Sequence, residues 1–329
     1  MLAVSRLLLV GLALAAGPAL AQAKSDAEAE ATLSAVVRVH ARILPDARTA
    51  ATLGPERAGS GVLVREGYVL TIGYLVIEAD SIEVTGGDGK TAPATLAAYD
   101  HATGFGLLKV VGPLHGRPLR LGDSASLAES DAGLVVGYGG REALQLVQVV
   151  SRRAFAGNWE YLLEAAIFTY PPVNNWAGAA LLSAQGELLG IGSLIVPDAG
   201  GPGTQSPGNL FVPIDLLAPI LDELIQRGRA PGPVRPWLGV NAEEFRGRVL
   251  VSRVSPDSPA ERAGLRRGDI VLGVGGEEVG SLRDFYRKVW ARGAAGVEVP
   301  LRVLQGLDVK DVAVRSMDRA GHLRRKQGY

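Results

Sequence analysis

Residues 37–43 alternate strictly: Val37, Val39, Ala41 and Ile43 are apolar, while Arg38, His40 and Arg42 are polar. A period of two marks a strand buried on one face. It puts His40 on the solvated face, outside any catalytic role. Short β-like runs follow at residues 61–65, 68–71, 81–85, 92–99, 106–111, 133–137, 145–151, 161–166 and 188–195, most of them separated by turns carrying Gly, Asp or Pro. Many short strands with such turns predict a mainly β chain built as a barrel or sandwich. Helical periodicity arrives late. Over 213–227, Ile214, Leu217, Ile220, Leu221 and Leu224 share one face of a predicted helix.

Residues 229–236, rich in Pro and Gly, interrupt the pattern and read as a linker stiffened by three prolines. They divide a first domain, 35–228, from a second block, 237–316. Strands are predicted in that block near 248–254, 270–274, 297–304 and 309–315. Its helix, 281–292, carries Leu282, Phe285, Tyr286, Val289 and Trp290 at i, i+3, i+4, i+7 and i+8, with Ser281 as N-cap. Residues 22–34 read as a loose linker or short helix. The end, 317–329, is a basic tail (Arg319, Arg324, Arg325, Lys326) expected to be solvated.

Composition narrows the classes. With 329 residues and 47% apolar content the chain has room for about two domains with sizeable cores. Lys+Arg 34 balances Asp+Glu 34, so nothing in the charge calls for nucleic acid. Cysteine is absent, which removes disulfides, thiolate metal sites and thiol nucleophiles together. Residues 1–21 read as a signal peptide: Arg6, an apolar run over 7–16, and Ala19-Leu20-Ala21 as the cleavage site. That run is shorter than the ~20 residues of a spanning helix, so no stable membrane insertion is expected after cleavage. The expected location is periplasmic or secreted, in a bacterial cell envelope. No metal or cofactor motif stands out; cofactors and metal are both expected to be none.

Several segments, in order, resemble the HtrA family, in which a trypsin-like double β-barrel precedes a PDZ domain. They are GSGVLV (59–64), YVLT (68–71), ADSIEV (79–84), YDHATGFGLLKV (99–110), GELLGI (186–191) and NLFVPIDLLAPILDELIQRG (209–228). SPAERAGLRRG (258–268), followed by Asp269, matches the family's most specific PDZ stretch. The resemblance covers roughly residues 35–316.

The same resemblance locates the catalytic positions, and all three depart from the family. Tyr74 stands where the histidine base belongs, Gly104 where the acid belongs, and Ala177, in PVNNWAGAAL (172–181), where the serine belongs. A phenol with an ordinary pKa near 10 is a poor base at neutral pH, glycine cannot orient an imidazole, and a methyl group cannot attack a carbonyl. Trp176 is placed to fill the cleft or to pack on its surface. The remaining histidines, His101, His115 and His322, have no evident serine partner; His101 is expected in a surface turn.

The PDZ-like block keeps its binding elements. By resemblance, Trp237, Leu238, Gly239 and Val240 form the carboxylate loop, whose glycine lets successive N–H groups converge on a terminal carboxylate. The strand after it would offer an open edge to an extended peptide. Phe285 and Val289 are candidates for the side-chain pocket, and Leu282 and Tyr286 for core. The expected function is that of a pseudoprotease, binding protein C-termini or unfolded polypeptides as adaptor, sensor or non-cleaving chaperone, alone or beside an active HtrA-like relative. The alternative is a serine endopeptidase using an unrecognised catalytic arrangement.

Overall fold

The alternation over β1 (Val36–Ile43) becomes a barrel wall: Val37, Val39, Ala41 and Ile43 point inward while Arg38 and Arg42 face solvent. With β2 (Glu56–Arg65), β3 (Tyr68–Ile72), β4 (Ala79–Thr85), β5 (Thr91–Tyr99) and β6 (Phe105–Val110) it closes in the order β1-β2-β3-β6-β5-β4. The structure is a computed structural model and describes residues 29–325. The expected signal peptide lies outside those residues.

A second barrel holds β7 (Ala132–Val136), β8 (Leu144–Gly157), β9 (Tyr161–Tyr170), β10 (Ala180–Leu182), β11 (Leu188–Val196) and β12 (Gly208–Pro213), closed in the order β10-β11-β12-β9-β8-β7. Closure leaves neither sheet with a free edge. Val135, Val147, Val149, Ile167, Leu181 and Phe211 pack within the second barrel. A larger core joins residues of both barrels, including Phe105, Leu107, Tyr161 and Phe168.

The C-terminal domain is a sheet in the order β13-β14-β15-β17-β18, comprising β13 (Val240–Phe245), β14 (Arg248–Val254), β15 (Ile270–Val274), β17 (Glu298–Gln305) and β18 (Asp308–Arg315), with the short β16 (Glu277–Glu278) beside β15. The helix Leu282–Trp290 covers it. Ser281 caps that helix by accepting from the Asp284 N–H at 3.1 Å. The fold is therefore a trypsin-like double β-barrel followed by a second β domain.

Three departures from the sequence reading have physical causes. The helix expected over 213–227 is split: residues 208–213 complete β12, Ile214–Leu216 is a 3-10 turn, and the α-helix begins only at Leu221. Pro219 has no N–H for an interior helical bond and is tolerated only at the start of the following helix. The hairpin β8–β9 is longer than its alternation implied, 14 and 10 residues, and its turn reaches the C-terminal domain. The basic tail is docked. The N–H and C=O of Trp237 pair with Met317, Arg319 donates to the Trp159 carbonyl at 3.1 Å, and the Arg324 N–H donates to Glu78 at 2.8 Å.

Candidate functional site

Tyr74 lies in the 3-10 turn Gly73–Leu75 that follows β3. The Gly73 N–H donates to the Gly104 carbonyl at 2.7 Å, which sets positions 74 and 104 side by side. The loop carrying Ala177 meets them from the second barrel, where its carbonyl accepts the Ser60 N–H at 2.8 Å. A Cβ on Gly59 would lie 2.6 Å from both the Ala177 oxygen and the Leu75 side chain, so only glycine permits this approach. Ala177 lines a cavity of about 390 Å³ together with Ser60, Tyr138, Asn175 and Trp176, while Tyr74 and Gly104 stand beside it and outside its lining.

The groups at positions 74 and 104 are poorly suited to proton transfer. The Tyr74 hydroxyl donates to the Ser193 carbonyl at 2.8 Å. Burial pushes its pKa well above the ordinary phenol value, with the Trp176 indole a weaker opposing influence. Gly104 has φ +80, and a Cβ there would sit 3.2 Å from the Tyr161 hydroxyl. That hydroxyl is itself fixed, donating to the Thr103 carbonyl at 2.6 Å. Trp176 lines the cleft, half-buried.

His101 is less exposed than its turn suggested. Its ring packs edge-on against Tyr99 at 4.3 Å, and its Nδ1 is sealed without a partner. Burial, with Arg319 adding to it, holds its pKa down to about 3. His40 lies 3.9 Å from Glu83, His115 lies 3.6 Å from Asp88, and His322 packs on Trp237 at 4.6 Å.

In the C-terminal domain the backbone N–H groups of Leu238, Gly239 and Val240 converge as a carboxylate receptor should. Gly239 makes this possible: its φ is +89, and a Cβ there would lie 2.2 Å from the Ser258 Cβ. The carboxylate they hold belongs to the same chain. Glu160 accepts from Leu238 at 2.9 Å, from Gly239 at 2.7 Å and from Val240 at 3.0 Å. Two residues along β13, where the N–H again points to the free side of the strand, Ala242 donates to the Asn158 carbonyl at 2.9 Å. Facing them, the Tyr286 hydroxyl donates to the Gly157 carbonyl at 2.7 Å and accepts from the Glu160 N–H at 3.2 Å. Leu162 is buried in the same apolar cluster as Phe285 and Val289.

Comparison with known proteins agrees with this architecture. The Trypsin-like peptidase domain family matches residues 59–191 and the PDZ domain family matches residues 236–315. A probable periplasmic serine protease do/HhoA-like protein of Haemophilus influenzae is 28% identical over 277 residues, covering 78% of this chain and 57% of the relative. A probable periplasmic serine endoprotease DegP-like protein of Marinomonas sp. is 29% identical, covering 67% of this chain and 49% of the relative. The chain belongs to the HtrA family. It spans about half the length of those curated relatives. Among solved structures, the HtrA-type protease AlgW with decapeptide matches with TM-score 0.54 and 24% identity, covering 91% of this chain and 98% of that one. The serine endoprotease from Yersinia pestis matches at TM-score 0.53 and 24% identity, covering 88% and 97%.

For this HtrA-family chain the structure sets Tyr74 beside Gly104 through the Gly73–Gly104 backbone bond, puts Ala177 on the facing loop of the second barrel, and brings Leu238, Gly239 and Val240 to one carboxylate. Trp237 stands behind the carboxylate loop. It is buried, and its ring lies 3.1 Å from where a Gly239 Cβ would be. Phe285 and Val289 are both buried. Two groove residues escaped the sequence reading. Tyr286 sits in a helical apolar stripe, which reads as core, and Glu160 looks like any polar residue of a hairpin turn. The one available signal was the demand of that three-residue turn for a left-handed residue before Tyr161, where glycine or asparagine is usual.

Proposed function

We propose that this HtrA-family protein is a non-cleaving binder of polypeptide C-termini or unfolded segments in the cell envelope, periplasmic or secreted as the names of its relatives indicate. The observation that carries the reading is the methyl group of Ala177 in place of an attacking hydroxyl. An acyl-enzyme cannot form at a side chain with neither lone pair nor exchangeable proton. The neighbouring groups support it. Tyr74 keeps its proton at neutral pH and spends it on Ser193, and Gly104 offers nothing to orient a base. Binding rests on backbone donors that remain in place at Leu238, Gly239 and Val240. A carboxylate held by several backbone N–H groups is the recognition mode of C-terminal capture.

The test is turnover and labelling. Purified protein is expected to leave casein and a library of labelled peptides uncut, and a fluorophosphonate probe is expected to label no side chain. Stoichiometric labelling, or turnover removed by that probe, would establish a working endopeptidase instead.

A further inference from the structure

The PDZ groove of this protein contains a ligand, and the ligand is the turn of the β8–β9 hairpin. Each part of the groove is matched by a part of the turn. The carboxylate loop holds the Glu160 carboxylate through three backbone N–H groups, and the edge of β13 donates from Ala242 to the Asn158 carbonyl. On the helical wall, Tyr286 bonds both Gly157 and Glu160, and Leu162 joins the apolar core. Outside the groove Arg287 grips Glu164 with two hydrogen bonds, at 3.1 and 2.5 Å.

The turn is built against its own local preference. Glu160 sits at φ +58, in the left-handed region that disfavours side chains with a Cβ. Gly157 and Tyr161 are paired at the base of the hairpin, so Asn158, Trp159 and Glu160 form a three-residue loop whose last position favours glycine. A glutamate there is strained, and strain of this kind persists only where surrounding contacts over-determine it. The surrounding contacts here are the three N–H groups of the carboxylate loop.

We propose that Glu160 is an internal substitute for a C-terminal carboxylate that holds the PDZ groove closed, and that a polypeptide with a free carboxyl terminus opens it by exchange. This rests on the reading that the groove captures C-termini. The exchange is geometrically direct, because a terminal carboxylate needs the same three donors and an extended chain needs the same edge of β13. A route exists. The cavity between the barrels and the PDZ domain, about 750 Å³, reaches Glu160 and is bordered by Arg235, Trp237 and Arg319. Two of those are cationic, which suits the approach of an anionic terminus. Burying a carboxylate away from water is costly even when it is well bonded, so the closed state is displaceable.

The test uses the purified protein and its Glu160→Gly and Glu160→Gln variants. Glycine relieves the left-handed strain and so spares the hairpin, while glutamine keeps the shape and removes the charge. Each is titrated with a pool of fluorescent nonapeptides ending in a free valine, leucine or phenylalanine carboxylate, with the amidated pool as control. Hydrogen exchange at residues 238–242 is followed without peptide. Both variants are expected to bind the free-carboxylate pool about tenfold or more tightly than the parent, since the competent fraction rises. The amides of 238–242 should also exchange about tenfold faster in the variants, tracking the same open fraction. Amidation should abolish the gain. Equal affinity in all three proteins would overturn the latch and leave C-terminal capture standing. Unchanged protection of 238–242 in both variants would also overturn it. Lost protection with no binding of the pool by any form would uphold the latch and sink C-terminal capture.

Discussion

In the cleft between the barrels, chemistry would depend on three side chains; in the PDZ groove, recognition depends on three backbone N–H groups. The difference decides what substitution can do to each. On the proposed reading Tyr74, Gly104 and Ala177 replace three catalytic side chains, while backbone bonds such as Gly73 to Gly104 and Ser60 to Ala177 hold the loops around them. Backbone donors cannot be removed that way. The groove keeps its receptor, and what varies is the occupant, here Glu160. A side-chain site is abolished by mutation, whereas a main-chain site is regulated by occupancy.

The contrast is broken most severely at Gly239. A Gly239→Val substitution demands a left-handed valine and places its Cβ into Ser258. Backbone strain and overpacking together should cost on the order of 2–5 kcal/mol. Because the PDZ domain has a core distinct from the barrels, with Leu162 shared between them, the loss should appear as a separate, earlier transition in urea. A single transition at the parent midpoint would show that the loop is not formed as described.

Acidification should act on the barrel side of the molecule through His101. Its folded pKa of about 3 lies below the ordinary 6.5 because burial, reinforced by Arg319, disfavours the charged ring. Above pH 6.5 the ring is neutral in both folded and unfolded chains and its contribution is complete. Between 6.5 and 3 the unfolded chain takes up a proton that the folded one refuses, so stability falls as pH falls. The slope attributable to this one group is about 1.4 kcal/mol per pH unit. A His101→Gln variant should lose that slope in urea melts between pH 6 and 4. An unaltered slope would place the ring in solvent.

How much of this was readable in the residues differs between the two regions. Strand alternation and turn residues were enough for the barrels, since a closed sheet buries one face of every strand, as Val37, Val39 and Ala41 show. The helix before the linker was misplaced because its apolar spacing continues through Pro219, where the missing N–H ends the pattern that the side chains advertise. Tyr74, Gly104 and Ala177 could be singled out because their flanking segments carry a linear motif. Glu160 could not, because its partners lie 78–80 residues away and are main-chain atoms identical in every sequence. For the same reason Tyr286 passed for core: its ring is buried, and only the hydroxyl shows that the helix faces a ligand.

The smallest expected effect is the most discriminating for the cleft. Ala177→Ser adds one oxygen to a half-buried site beside a cavity of about 390 Å³, so stability should change by no more than about 0.5 kcal/mol. Turnover should stay at the parent's background, because a serine needs a base and Tyr74 cannot be one while burial holds its proton and Ser193 receives it. Supplying the base alone, as Tyr74→His, should not suffice either, since Gly104 offers no carboxylate to fix the imidazole's tautomer. The third reversal, Gly104→Asp, is opposed by the fold. At φ +80, with Tyr161 3.2 Å from the new Cβ, the acid strains the turn and pushes against a hydroxyl held by Thr103. Casein hydrolysis by the Ala177→Ser protein alone would therefore mean that a base other than Tyr74 reaches position 177, and the cleft would have to be redrawn around it.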